Sequence, residues 1–578
     1  MEKEIKGIEC KFAVHIPAKT PDLHDIHLIK ERVHFTDDTY ESRITLLKDF
    51  KRPFWVEKQS SRNYKQKKEY RHIDNLIKYE STQTDLKDNI ERALGGKFVN
   101  NNNNSKRPKS FRDLLSSPYI YGADILSTSI IKHIYKNKYK DCESLYSVAG
   151  FDIETDVVNG TGDVVMASIV FEDKVFISVD KNFVKGITDL DFLFQKLCKK
   201  YLDKELNKYK LNIELHLAED PIDCIRGCFN KAHEWKPDFL EIWNIDFDIP
   251  KILELFKKYR VDPKDILCDP SVPKEYRLCK YKKGMQKKET ASGKFKPIKN
   301  AAQWHTLFLS ASFYVIDGMC SYKQIRLMSE QDQPSYSLDN ILKKEGLDGK
   351  LTFEEAKDYE DSKLKWHIFM QTYHKIEYMI YNIFDSLRML ELDFKTKDLA
   401  ASLPNFASNT DFSKFNSQPS KIADAFFYFI FKKGYVLGSV GNKPEAEIRD
   451  EDLVDDEDEI TPENHDILSL RDWIVTLPAS LIMLGLPLIK EDSSIRTNIR
   501  FFVFDSDEVS AYPSATMVLN VSKETTLREL ISIDGKEEDV FRIQNLNFVI
   551  GYSNSLEYVV NMFDAPKPQD LLNIFDDV

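Results

Sequence analysis

A chain of 578 residues is too long for one hydrophobic core, so several domains are expected. Its 42% hydrophobic and 12% aromatic content excludes a disordered or fibrous chain. The net charge of −12 argues against a general nucleic-acid binder but leaves room for a local basic channel. Eight cysteines are scattered without paired zinc-ligand spacing. Cys224 and Cys228, the closest pair, read as buried thiols on one helix, and the sparse usage fits a reducing compartment. The N-terminus is charged, with no apolar run after it. The longest apolar stretch, 473–489, holds Pro478 and Pro487 and is short for a bilayer. A soluble, cytoplasmic protein without a membrane partner is expected.

Residues 1–147 predict a mixed N-terminal domain, with a strand within 44–56 and helices over 70–79 and 84–94. The Asn-rich run 100–104 and the basic 105–109 read as a solvated loop. From Val148 the pattern becomes α/β. Residues 148–155 read as a strand with Asp152 and Glu154 on one face and Phe151 and Ile153 on the other. Two readings stay open for those acids: a solvated strand end, or a pair of ligands for a hard cation. Residues 164–171 and 175–179 predict a hairpin, and 190–209 and 224–235 predict helices.

A short strand at 238–243 turns through Asn244 to Pro250 into a helix over 251–259. Pro250 suits a first helical turn, and Asn244 and Asp248 fall near each other. Residues 277–299 hold Lys280, Lys282, Lys283, Lys287, Lys288, Lys294 and Lys296 among glycines. They read as a basic hairpin or as a solvated loop. A strand follows at 312–317, then a helix capped by Ser337. Residues 354–392 are largely helical, with Tyr381 and Asp385 on one face. The acidic block 445–466 reads as a solvated insertion, since it lacks the glycine spacing of a cation-binding loop. Residues 499–504 predict a strand that ends in Asp505-Ser506-Asp507-Glu508-Val509-Ser510-Ala511-Tyr512-Pro513-Ser514.

Asp-x-Glu on a strand, Asn-x-x-Phe-Asp after a strand and Tyr-x-x-x-Asp on a helix follow in order. Four carboxylates (Asp152, Glu154, Asp248, Asp385) suit two divalent metals roughly 3.5–4 Å apart, the arrangement for phosphodiester cleavage. This series resembles the three motifs of the proofreading 3′–5′ exonuclease of family B DNA polymerases, of the large tailed-phage type. Asp507 to Ser514 resembles the Asp-x-x-Ser-x-Tyr-Pro-Ser motif of the first palm strand.

The resemblance implies a multidomain α/β protein. A ribonuclease H-like exonuclease domain would occupy 148–393, a connecting region 394–495, and the start of the palm 496–578. It implies Mg²⁺ or Mn²⁺ held by Asp152, Glu154, Asp248 and Asp385, with Tyr381 orienting the attacking water. Asn244 and Phe247 would seat a frayed 3′ end, Phe247 being equally open to a core position. Lys282, Lys283, Lys287 and Lys288 would touch DNA from a hairpin. Asp507 would be the palm metal ligand, and Ser510 and Tyr512 would line the dNTP site.

Glu508 and Ala511 depart from the larger apolar residues usual in that family. No Lys-x-x-x-Asn-Ser-x-Tyr-Gly fingers motif or Asp-Thr-Asp palm hairpin follows within the 578 residues. The expectation is therefore a polymerase portion whose DNA synthesis needs a second chain, with a sliding clamp as a further partner. A stand-alone exonuclease with a vestigial palm and a non-catalytic replisome subunit are the alternatives. The intact acid set argues against the last, because a scaffold has no use for clustered like charges.

Overall fold

The computed structural model describes residues 3–439, apart from residues 21, 64–67, 69, 96–110, 116, 141, 290–294, 328–331, 360–361 and 415–417, together with three strands between 526 and 551. Chain contacts divide it into two units, 1–444 and 445–578. The fold is mixed α/β. The second unit contributes an antiparallel three-stranded sheet from 526–533, 536–543 and 548–551. Asp507, Ser510, Tyr512, the acidic block and the apolar stretch 473–489 lie outside the described residues, as does the Asn-rich loop.

In the first unit, β1 (Ile5–Ile16), β2 (Ile26–Phe35) and β3 (Tyr40–Lys48) form an antiparallel sheet. A second small sheet joins β4 (Arg52–Glu57), β6 (Leu76–Ser81) and β7 (Ile120–Tyr121), while β5 (Tyr70–His72) pairs with β18 (Tyr435–Leu437). The helix expected over 70–79 is therefore two strands separated by a single 3₁₀ turn. Pairing with β4 and β18 outweighs an apolar spacing that suited a helix. The expected helix at 84–94 forms as Leu86–Leu94.

The N-terminal sheet is fastened to the rest by buried polar groups. Arg32 pairs with the fully buried Asp238, whose Oδ2 also accepts the Ser147 amide at 2.9 Å. Lys30 Nζ donates to the carbonyls of Lys236 at 2.7 Å and Ser312 at 2.8 Å. These charges are buried because each is paired or hydrogen-bonded.

The centre of the unit is an eight-stranded sheet. Its strands are β8 (Val148–Thr155), β9 (Val164–Phe171), β10 (Lys174–Asp180), β11 (Asn212–Ala218), β12 (Phe239–Ile242), β13 (Cys279–Lys282), β16 (Thr306–Leu309) and β17 (Tyr314–Asp317). They run in the order β11-β10-β9-β8-β12-β17-β16-β13. Only β9 and β16 oppose the others. Every residue of β9 is buried, as expected for a strand covered on both faces.

Alternation along β8 divides its side chains. Ala149, Phe151 and Ile153 join a core with the helices Pro221–Trp235 and Ile245–Tyr259, where Phe151 meets Phe229 edge-on at 5.6 Å. Asp152 and Glu154 face the long helix Lys375–Thr396 on the opposite side. That helix is buried along most of its length, so its polar residues are held inside the protein. Gly150 permits the close approach: a Cβ there would collide with the Ser386 carbonyl oxygen. Ser168 Oγ locks the contact from β9, reaching Asn382 O at 3.0 Å and Ser386 Oγ at 2.8 Å.

Three helix expectations shift. Residues 190–209 divide into Leu190–Tyr201 and Asp203–Tyr209, and 354–392 breaks into a 3₁₀ turn, Lys363–Tyr373 and Lys375–Thr396. The helix expected from 251 begins at Ile245, so Pro250 sits inside it instead of in the first turn. Cys224 and Cys228 are buried thiols on one helix, as expected.

Candidate active site

Strand β8 delivers Asp152 and Glu154, the first turn of Ile245–Tyr259 delivers Asp248, and the long helix delivers Asp385. All four carboxylates line one cleft of about 900 Å³, and Asn244, Phe247 and Tyr381 line it with them. Asp248 sits in the first turn of the helix, its amide reaching Asn244 O at 3.3 Å. Phe247, 53% exposed, stands on the cleft wall, so the core alternative for it falls.

Burial raises the Asp152 carboxyl well above the ordinary range, and Asp248, Glu154 and Asp385 push it further. Burial likewise pushes Glu154 up to about 7, and raises Asp248 with help from Glu154 and Asp317. This is the mutual repulsion that a cation relieves. Asp385 Oδ1 is buried without a hydrogen-bond partner. Among the described residues no group of three His, Cys, Asp or Glu side chains is already closed on a single point. An all-oxygen donor set, an unpartnered carboxylate oxygen and clustered like charge fit hard divalent cations such as Mg²⁺ or Mn²⁺.

The structure adds residues that the sequence did not single out. Lys350 reaches into the cleft from the loop after the helix Leu338–Lys344, donating to Tyr381 Oη at 2.7 Å and pairing with Asp385. Burial opposes its charge, but Asp385 and Tyr381 hold the ammonium protonated well above its usual range. Its backbone amide is fixed by Asp339 Oδ1 at 2.9 Å. Nothing in the sequence distinguishes it among 82 Lys and Arg residues.

Asn382 Nδ2 donates to Asp152 Oδ2 at 2.7 Å, and Tyr378 donates to Glu154 Oε2. Tyr378, Tyr381, Asn382 and Asp385 fall at i, i+3, i+4 and i+7, one face of the helix. That polar stripe, set among Met379, Ile380, Ile383 and Phe384, is the signal that could have found the two missing residues.

The basic stretch divides. Its first part, β13, is the edge strand of the central sheet; β14 (Lys287–Glu289) and β15 (Phe295–Pro297) form a short hairpin beyond it. Lys282, Lys283 and Lys287 are exposed, and Lys283 also pairs with Asp246 at 3.1 Å. The side chain of Lys288 lies outside the described residues. Ser337 is at the N-cap of its helix, but its side chain makes no capping bond.

Compared with known proteins, the chain matches no family model and no curated protein. No described helix is long and apolar enough to cross a membrane.

Proposed function

We propose that the first unit is a metal-dependent 3′–5′ exonuclease acting on single-stranded DNA ends, as in the proofreading domain of a family B DNA polymerase. The observation that carries the reading is the gathering of Asp152, Glu154, Asp248, Asp385 and Tyr381 from three elements onto one cleft. The central strands support the ribonuclease H-like part of it: a three-stranded antiparallel meander, β8 to β10, continued by β12 and β17 parallel to β8.

Two Mg²⁺ or Mn²⁺ ions held by the four carboxylates would supply a water of lowered pKa and charge stabilisation for the leaving 3′ oxygen. The chain's own groups do the rest. Phe247 offers an exposed ring at the cleft wall on which a terminal base stacks, worth about 1–3 kcal/mol. Lys350 places a positive charge where a phosphate would lie, and Tyr381 Oη beside it can hydrogen-bond the attacking water. Trp366, 4.9 Å from the Tyr381 ring, closes the apolar side of the cleft.

The palm resemblance of Asp507, Ser510 and Tyr512 extends the proposal to a polymerase, with primer-template DNA as substrate and dNTP used by the complete enzyme. The test of the exonuclease is direct. With Mg²⁺, the chain should shorten single-stranded DNA from its 3′ end, and Asp152→Ala with Glu154→Ala should abolish this while the circular dichroism spectrum stays the same. Undiminished degradation by the double variant would overturn the assignment.

A further inference from the structure

The Glu154 carboxylate is held by a side-chain frame at the wall of the cleft. Tyr378 Oη donates its single proton to Glu154 Oε2. It accepts from Gln371 Nε2 at 3.2 Å and lies 2.8 Å from His367 Nδ1. A hydroxyl has one proton and two lone pairs, and Gln371 Nε2 can only donate. With the proton committed to Glu154, His367 must carry its own on Nδ1. The Tyr378 oxygen is then saturated, with one bond given and two received.

Both amide protons of Gln371 are committed as well. The same Nε2 donates to the Thr155 carbonyl at 2.8 Å, and Oε1 accepts the Val157 amide at 3.1 Å. Gln371 therefore clamps the end of β8 just beyond Glu154, and it is 2% exposed. Tyr378 is fully buried and lies parallel to Tyr381 with centroids 6.0 Å apart, so its ring has no room to turn.

We propose that Tyr378 is a positioning residue: together with Gln371 and His367 it fixes Oε2 of Glu154, leaving Oε1 as the oxygen presented to a divalent cation. The inference rests on the exonuclease reading, because only a ligand to be aimed needs such a frame. A buried tyrosine serving packing alone would give the same core contacts through its ring. It would not need its oxygen tied to a cleft carboxylate, a strand-clamping amide and an imidazole at once. Groups that orient metal ligands in this way typically control affinity or activity by 10–100-fold.

The experiment measures Mn²⁺ binding by electron paramagnetic resonance without DNA, beside single-turnover cleavage of a 3′-labelled oligonucleotide. The expected result for Tyr378→Phe is an unchanged fold, Mn²⁺ affinity lower by roughly tenfold or more, and cleavage partly recovered at high Mn²⁺. His367 is at the cleft and partly exposed, so it supplies a second arm if Tyr378→Phe fails to fold. His367→Phe should weaken Mn²⁺ binding. His367→Asn, which returns an N–H donor near the Nδ1 position, should restore much of it. Wild-type Mn²⁺ affinity and cleavage in Tyr378→Phe, or equal affinity in the two His367 variants, would overturn the positioning role alone. A wild-type chain that neither binds Mn²⁺ through Glu154 (no loss in Glu154→Gln) nor cleaves DNA would overturn the exonuclease reading, and this inference with it.

Discussion

Gly150 does not line the cleft, yet its position makes it a control point for the whole site. A Cβ at this position would lie about 1 Å inside the ~3.4 Å at which carbon and oxygen pack, and the obstructing atom is a backbone carbonyl that cannot rotate away. In Gly150→Ala the helix Lys375–Thr396 must therefore retreat from β8 by about 1 Å. The Asn382–Asp152 bond, 2.7 Å in the native contact, would stretch beyond hydrogen-bonding reach, and the Tyr378–Glu154 bond would loosen with it. Overpacking costs about 1–3 kcal/mol, and weakening a bond to a buried carboxylate adds roughly 1–2 kcal/mol, so a loss of about 2–5 kcal/mol is expected. Misplacing Asp385 and Tyr381 by that distance should lower cleavage about 100-fold even where the protein remains folded. Urea unfolding gives the first quantity, and hydrolysis of a 3′-labelled oligonucleotide by the folded fraction gives the second. A variant within 0.5 kcal/mol of wild type (roughly the range of a neutral surface change) that also cleaves at full rate would refute the argument that helix approach sets the site.

The acid cluster makes metal-free stability depend on pH. Because burial raises Glu154 from the ordinary glutamate range to about 7, the folded chain binds the proton more tightly than the unfolded one. Its contribution is present in full below about pH 4.5 and is lost as pH rises through 7, by at most about 3 kcal/mol. With chelator present, the urea midpoint should fall from pH 5 to pH 8, and more shallowly in Glu154→Gln; identical slopes would contradict the shift. On the hairpin side, replacing Lys282 and Lys287 by Gln should weaken DNA binding and lower the salt slope by about one unit per lost phosphate contact. Lys283→Gln should instead act through its bond to Asp246, with little change in that slope; salt-dependent fluorescence anisotropy separates the two.

The parts of the site that were legible in the sequence are those that local periodicity carries. Period-two alternation put Asp152 and Glu154 on one face of β8, and the i, i+4 relation put Tyr381 and Asp385 on one face of a helix, with no tertiary information required. Lys350 was illegible because its role depends on a loop held by Asp339, a contact that leaves no periodic trace. The strands at 70–72 and 76–81 were misread because their hydrogen-bonding partners, β18 and β4, are set by long-range pairing, which outweighs a helix-like spacing of apolar residues. Tyr378 and Asn382 lie between these cases. Their spacing was readable, but a polar residue on a helix has meaning only once the helix is known to be buried against β8, and the residue that permits this is Gly150, more than two hundred positions earlier. The side chains proposed to perform the chemistry were therefore readable from local pattern, and those proposed to aim them became visible only through packing. Substitutions in the aiming set should accordingly change metal affinity and rate while leaving every sequence motif intact.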